Sequence, residues 1–270
     1  LLLTTALGAG AQSNESSSVP PEAQKQFDIA AAAAKKAIDG MGIALFGYTR
    51  TGAYYATDGL PRGHYGLGEL GYNRFGNEGD NYLEFGIGKK WDLGGVKLGT
   101  YYQPNFYKAQ GGAAGSTGVA QAYVDMTGFS FAPEVSFWGG QRFHRIMDVH
   151  IIDNFLLEDG GDFGAGVDGI KMGGAGTLNV AVYTDTNVGS DSSTSNGKRV
   201  NLQWRKIPVS VDGTLDIAAG VVRGNFADKK TGFALGGMYR QKLGSFTNSL
   251  VIQGSNGHAD LRGRFYNLNR

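Results

Sequence analysis

The residues best suited to chemistry gather in one run, Trp138–Gly166, which reads WGGQRFHRIMDVHIIDNFLLEDGGDFGAG. His144, Arg145, Asp148, His150 and Asp153 alternate there with Ile146, Ile151, Ile152 and Phe155. Imidazole and carboxylate together suit zinc or manganese, so one reading is a metal-assisted hydrolase on a soluble or surface β-protein. Asp148 and His150 would share a face on a strand, but the run is irregular and the chain has no Cys to assist. A polar loop is the better reading. Glycine patterns of the dinucleotide type at Gly66–Gly71 and Gly164–Gly169 are expected by chance among 45 glycines, and neither opens a helix after a strand. No P-loop and no G-x-S-x-G is present. The sequence therefore points away from catalysis and cofactors. A connection of about twenty irregular residues is rare in a compact domain unless it has a job, and in a barrel it can fold inward.

The elements that must carry this loop are strands. From Ile43 the apolar period is 2. Leu83, Phe85 and Ile87 oppose Tyr82, Glu84, Gly86 and Gly88; Leu178, Val180 and Val182 oppose Thr177, Asn179 and Ala181. Val200, Leu202 and Trp204 oppose Arg199, Asn201, Gln203 and Arg205, and Leu215, Ile217, Ala219 and Val221 oppose Thr214, Asp216, Ala218 and Gly220. Roughly ten or eleven strands follow, among them 43–57, 80–90, 94–108, 118–130, 133–143, 174–186, 198–209, 213–226, 230–242 and 246–254. The 13 Tyr and 15 Phe include Tyr54, Tyr55, Tyr101, Tyr102, Tyr183 and Tyr239, which suit the interfacial girdles of a membrane barrel. No apolar run reaches the ~20 residues of a membrane helix. A formal charge of +1 carries no nucleic-acid footprint.

Residues 1–11 (LLLTTALGAGA) are apolar and end in an A-x-A pattern, which reads as the remnant of a secretory signal peptide. Residues 12–42 form a linker, Ser-rich at first, then a helix over Pro21–Asp39 that Gly40 stops. There is no initial Met and no aromatic residue at the end, so the chain reads as a fragment.

Several motifs in order resemble the maltoporin family of outer-membrane sugar channels. They are Phe46–Gly52 (FGYTRTG), Arg74–Glu78 (RFGNE) with Tyr82 and Glu84, Trp138 with Arg142 and Phe143, Asp148-Val149-His150 with Asp153, and Gly164-Ala165-Gly166. Weaker similarity runs through Gly213-Thr214-Leu215 to Ser245-Phe246. The resemblance implies an all-β, transmembrane antiparallel barrel of about eighteen strands, of which residues 43–270 would supply the N-terminal part. It also implies a periplasmic N-terminal segment, a homotrimer in the outer membrane of a Gram-negative bacterium, and oligosaccharides as solutes. An inward loop, about 142–166, would set the constriction. By the same resemblance Tyr48, Tyr82 and Phe246 match an aromatic slide, and Arg50, Arg74, Glu84, Arg145, Asp148, Asp153 and Phe155 fall at or beside a polar track and constriction. The chain departs from the family at Ile146, where an arginine is usual, at Phe155, where a tyrosine is usual, and at Ala120, near another arginine. These departures leave the preferred sugar open. A general diffusion porin without sugar specificity is the alternative.

Overall fold

In this computed structural model the described residues are 25–26, 28–30, 32–33, 38, 40–52, 79–109, 114–149, 154–157, 163–185, 197–224 and 231–257. From Ile43 each alternating stretch pairs with its neighbour in sequence. The strands are β1 (Ile43–Thr51), β2 (Asp80–Asp92), β3 (Lys97–Ala109), β4 (Ser116–Thr127), β5 (Ser136–Gln141), β6 (Met147–Val149), β7 (Asn154–Leu156), β8 (Phe163–Lys171), β9 (Thr177–Asp185), β10 (Gly197–Ser210), β11 (Gly213–Arg223), β12 (Gly232–Leu243) and β13 (Phe246–Asn256). All but β6 and β7 form one 11-stranded antiparallel sheet in chain order, and β6 and β7 pair as a separate hairpin. β1 and β13 are its edges and do not pair with each other. Of the expected helix, the described residues from Lys25 to Ala33 are helical, and the turn ends at Gly42, whose φ of 64° a glycine adopts without strain.

Burial along the strands is inverted relative to a soluble protein. Asn201, Gln203 and Asp216 are 1 %, 0 % and 0 % exposed, whereas Leu83, Phe85, Leu202 and Leu235 are 47 %, 49 %, 45 % and 50 % exposed. Apolar side chains on the outer face with polar ones enclosed is the arrangement a sheet adopts when hydrocarbon, not water, lies outside it. Short turns join the strands at one rim, at 93–96, 172–176, 211–212 and 244–245. The strand ends that longer stretches of sequence separate, such as Thr51 and Asp80, Gln141 and Phe163, Asp185 and Gly197, and Arg223 and Gly232, lie at the other. At the short-turn rim Trp204 Nε1–H donates to the Ala175 carbonyl at 2.6 Å, and the Tyr239 hydroxyl lies 3.1 Å from Ser210 Oγ. Both place an apolar ring outward with its polar tip at the rim.

Three expectations change. Phe163–Lys171 is a full strand, β8, so Phe163–Gly166 belongs to the wall and not to the loop. Its glycines hide the strand signal, because they leave room for rings: a Cβ on Gly166 would stand 2.7 Å from the Trp138 ring, and one on Gly164 would stand 2.6 Å from the Tyr183 ring. The run before β8 also contains the β6–β7 hairpin and is not irregular throughout. Tyr183, taken for a girdle residue, is buried on the inner face beneath that loop, 5.7 Å from Trp138. Tyr101 turns inward with it, stacked 4.5 Å from Tyr123, while Tyr102 points out. Tyr54 and Tyr55 lie outside the described residues.

Candidate functional site

β1 and β2 pair with Tyr48 opposite Glu84 and Arg50 opposite Tyr82. Opposed residues share a face, so this register alone brings four side chains to one inner patch. The Tyr48 and Tyr82 rings are 5.4 Å apart. Arg50 forks onto both oxygens of Asp80, each at 2.8 Å, and its guanidinium lies 4.7 Å from the Tyr82 ring centre. The Tyr82 hydroxyl donates to Glu84, and Asn105 Nδ2–H reaches the Tyr82 oxygen at 3.5 Å. Phe46 joins the same face, its ring lying over Gly86. Aromatic faces, a guanidinium and a carboxylate thus sit within one patch. Such a patch can stack on an apolar surface and exchange hydrogen bonds with polar rims at once.

The described residues of the segment after β5 leave the sheet and lie against its inner face, meeting β8, β10, β12 and β13. Arg142 Nη1 pairs with Asp168 at 2.9 Å, and its guanidinium is 5.1 Å from the Tyr123 ring and 5.2 Å from the Trp138 ring. His144 Nε2 lies 3.0 Å from the other Asp168 oxygen. Farther along, Gln203 Nε2–H on β10 donates to the His144 carbonyl at 3.0 Å, and Arg240 Nη2–H on β12 donates to the Ile146 carbonyl, also at 3.0 Å. The Leu157 amide reaches Gln253 Oε1 on β13 at 3.5 Å. Ile146 and Leu157 then close an apolar pad with Ala181, Tyr183, Ala218, Val222, Ala234 and Met238. Asp216 beneath the pad pairs with Arg240 at 2.8 Å and Arg205 at 3.3 Å, and accepts from the Lys206 amide at 2.7 Å. A buried carboxylate so paired orients Arg240 toward the loop.

Of the residues singled out in the sequence, Tyr48, Arg50, Tyr82 and Glu84 come together. The Arg145 guanidinium sits 3.9 Å from the Phe143 ring centre. Ile146, standing where an arginine is usual, is buried in the pad. Asp148 and Phe155 oppose each other in the β6–β7 backbone, and their side chains lie outside the described residues, as do Arg74 and Asp153 altogether. Phe246 is a correction. It pairs with Leu243 beside the turn, shares a face with Leu250 and Ile252, and is 75 % exposed there. It therefore belongs to the apolar outer face, not to a slide. Sequence reading missed Asp168, Gln203, Asp216 and Arg240 as anchors of the loop. Alternation marks the middle two as inward, but which inward residues a loop will meet is a long-range fact. Among the described residues no group of three or more His, Asp or Glu gathers as a metal site.

Residues 43–270 match the LamB porin family. Maltoporins of the El Tor Inaba and Classical Ogawa strains of Vibrio cholerae serotype O1 are each 27% identical over 218 residues, covering 77% of this chain and 50% of the relative. The chain spans about half the length of the curated relatives it matches. With an apolar outer face, a polar inner face and a loop lying across that inner face, the chain belongs to the LamB porin family of outer-membrane β-barrels in Gram-negative bacteria.

Proposed function

We propose that this chain forms part of the wall and the constriction of a sugar channel, passing oligosaccharides through the outer membrane by facilitated diffusion as a homotrimer. No bond is broken and no cofactor takes part. The observation that carries the reading is the inner patch of Tyr48, Tyr82, Arg50 and Glu84 facing the same side as the crossing loop. A sugar offers C–H faces to aromatic rings and hydroxyl rims to charged groups, and each contact is weak enough for the solute to move on. The loop from Arg142 onward supplies the narrowing. Asp148, Asp153, Phe155 and Arg74 keep their places in the polar track and constriction on the resemblance of their motifs. The relatives are named maltoporins, which makes linear glucose oligosaccharides the first solutes to try.

The test is ion conductance of the full-length protein in a planar bilayer. Added maltotriose should reduce the current in a saturable manner. A current indifferent to maltotriose, sucrose and longer glucans would replace this reading with a general diffusion porin.

A further inference from the structure

A line of side-chain amides joins Glu84 to the root of the crossing loop. Gln103 Nε2–H donates to Glu84 Oε2 at 2.8 Å, and Gln121 Nε2–H donates to Gln103 Oε1 at 2.7 Å. The Phe143 amide donates to Gln121 Oε1 at 3.0 Å, and the Tyr82 hydroxyl donates to the other Glu84 oxygen. The line passes over β2, β3 and β4 and ends on the second residue beyond β5. Its direction is fixed from one end. Both oxygens of Glu84 accept, so Gln103 must present its nitrogen to Glu84 and its oxygen to Gln121. Gln121 must then present its nitrogen to Gln103, which leaves its oxygen for the backbone N–H of Phe143. Gln103 is buried, so water competes little for these groups, and hydrogen bonds in series strengthen one another.

We propose that Gln103 and Gln121 are positioning residues that hold the Glu84 carboxylate and the loop root at Phe143 as one unit. The polar contact offered to a sugar and the width of the constriction are then set together. This consequence rests on the sugar-channel reading above, whereas the coupling itself does not. Gln103→Leu leaves Phe143 and its acceptor Gln121 unchanged and removes only the partner of the Gln121 side-chain nitrogen. In the full-length protein, residue-resolved hydrogen exchange at the Phe143 amide should nonetheless quicken about three- to tenfold in Gln103→Leu, as in Gln121→Leu. Amides of β10 and β11 should keep their wild-type rates. Quickening in Gln121→Leu alone would overturn the proposal, because Gln121 would then act only locally. If Gln103→Leu fails to assemble, Gln103→Met, which keeps the length of the side chain but has no amide, withdraws the same two bonds and is read the same way. In the bilayer, Gln103→Leu should raise the half-blocking concentration of maltotriose in the wild-type background and leave it unchanged in a Glu84→Leu background. Equal effects in both backgrounds would overturn the link to Glu84. A wild-type channel that maltotriose does not block would sink the sugar reading, and the exchange experiment would still decide the coupling.

Discussion

Tyr82 and Leu83 are neighbours in sequence and opposites in surroundings. Tyr82 faces the Tyr48 ring and the Arg50 guanidinium, and Leu83 is exposed on the outer face. A ring that stacks on a sugar contributes about 0.5–1.5 kcal/mol, so Tyr82→Ala should weaken sugar block about two- to tenfold. Leu83→Ala should leave the block unchanged. Equal losses in the two titrations would mean that the face assignment is wrong. Phe246→Ala belongs with Leu83, since its register places it beside Leu243 and Leu250 on the outer face, and it too should leave half-blocking concentrations alone. Period 2 made Tyr48, Arg50, Tyr82 and Glu84 readable from sequence, because each strand fixes which residues share a side. Phe246 shows where that reading stops. A single aromatic residue at a strand start has no alternating neighbours long enough to assign its face, and only the pairing with β12 does so.

At the scale of elements, Leu157 is the one wholly enclosed apolar side chain among the described residues of the crossing loop. Leu157→Ala removes that anchor from a pad shared with Met238 and Val222, a change that costs about 2–5 kcal/mol in a packed core. The cost falls on docking of the loop more than on the sheet. Single-channel records should therefore show more open-state noise and a higher mean conductance, with heat resistance of the barrel little changed. A record as quiet as wild type would mean that the Arg240, Gln203 and Arg142 contacts suffice without the pad. β8 needs a different probe. Gly166 lies under the Trp138 ring, so Gly166→Val should displace that ring and, with it, the stack on which Arg142 rests. Lower yield of assembled protein and a noisier pore are expected together, and Gly139→Ala, which meets nothing within 4 Å, should show neither. The same glycines explain why β8 was not legible. Strand signals come from bulky side chains, and here the bulk that completes the wall is supplied by rings from β5 and β9. The inward loop was legible as an oddity of length and content; its anchors were not, because Gln253 lies 96 residues from the Leu157 amide it meets.

For the whole molecule the question is what lies against the outer face. A soluble β-sandwich alternates in the same way, but it covers its apolar face with a second layer. Among the described residues no second sheet covers Phe85, Val200, Leu202, Val221, Phe233 or Leu235, and the enclosed side carries Arg199, Asn201, Gln203 and Asp216 instead. Hydrocarbon as the outer neighbour makes a quantitative demand, since an arginine on that face costs about 2–4 kcal/mol near the bilayer midplane and little near its surfaces. Leu202 stands near the middle of β10, and Val209 stands beside the turn at 211–212, both exposed. In reversible folding of the full-length protein into lipid vesicles, Leu202→Arg should lower stability by that amount, and Val209→Arg should lower it by about 0–1 kcal/mol. A protein–protein or solvent-facing surface has no depth, and would give two similar values. The gradient along one strand therefore separates a wall embedded in lipid from any soluble arrangement of the same sheet.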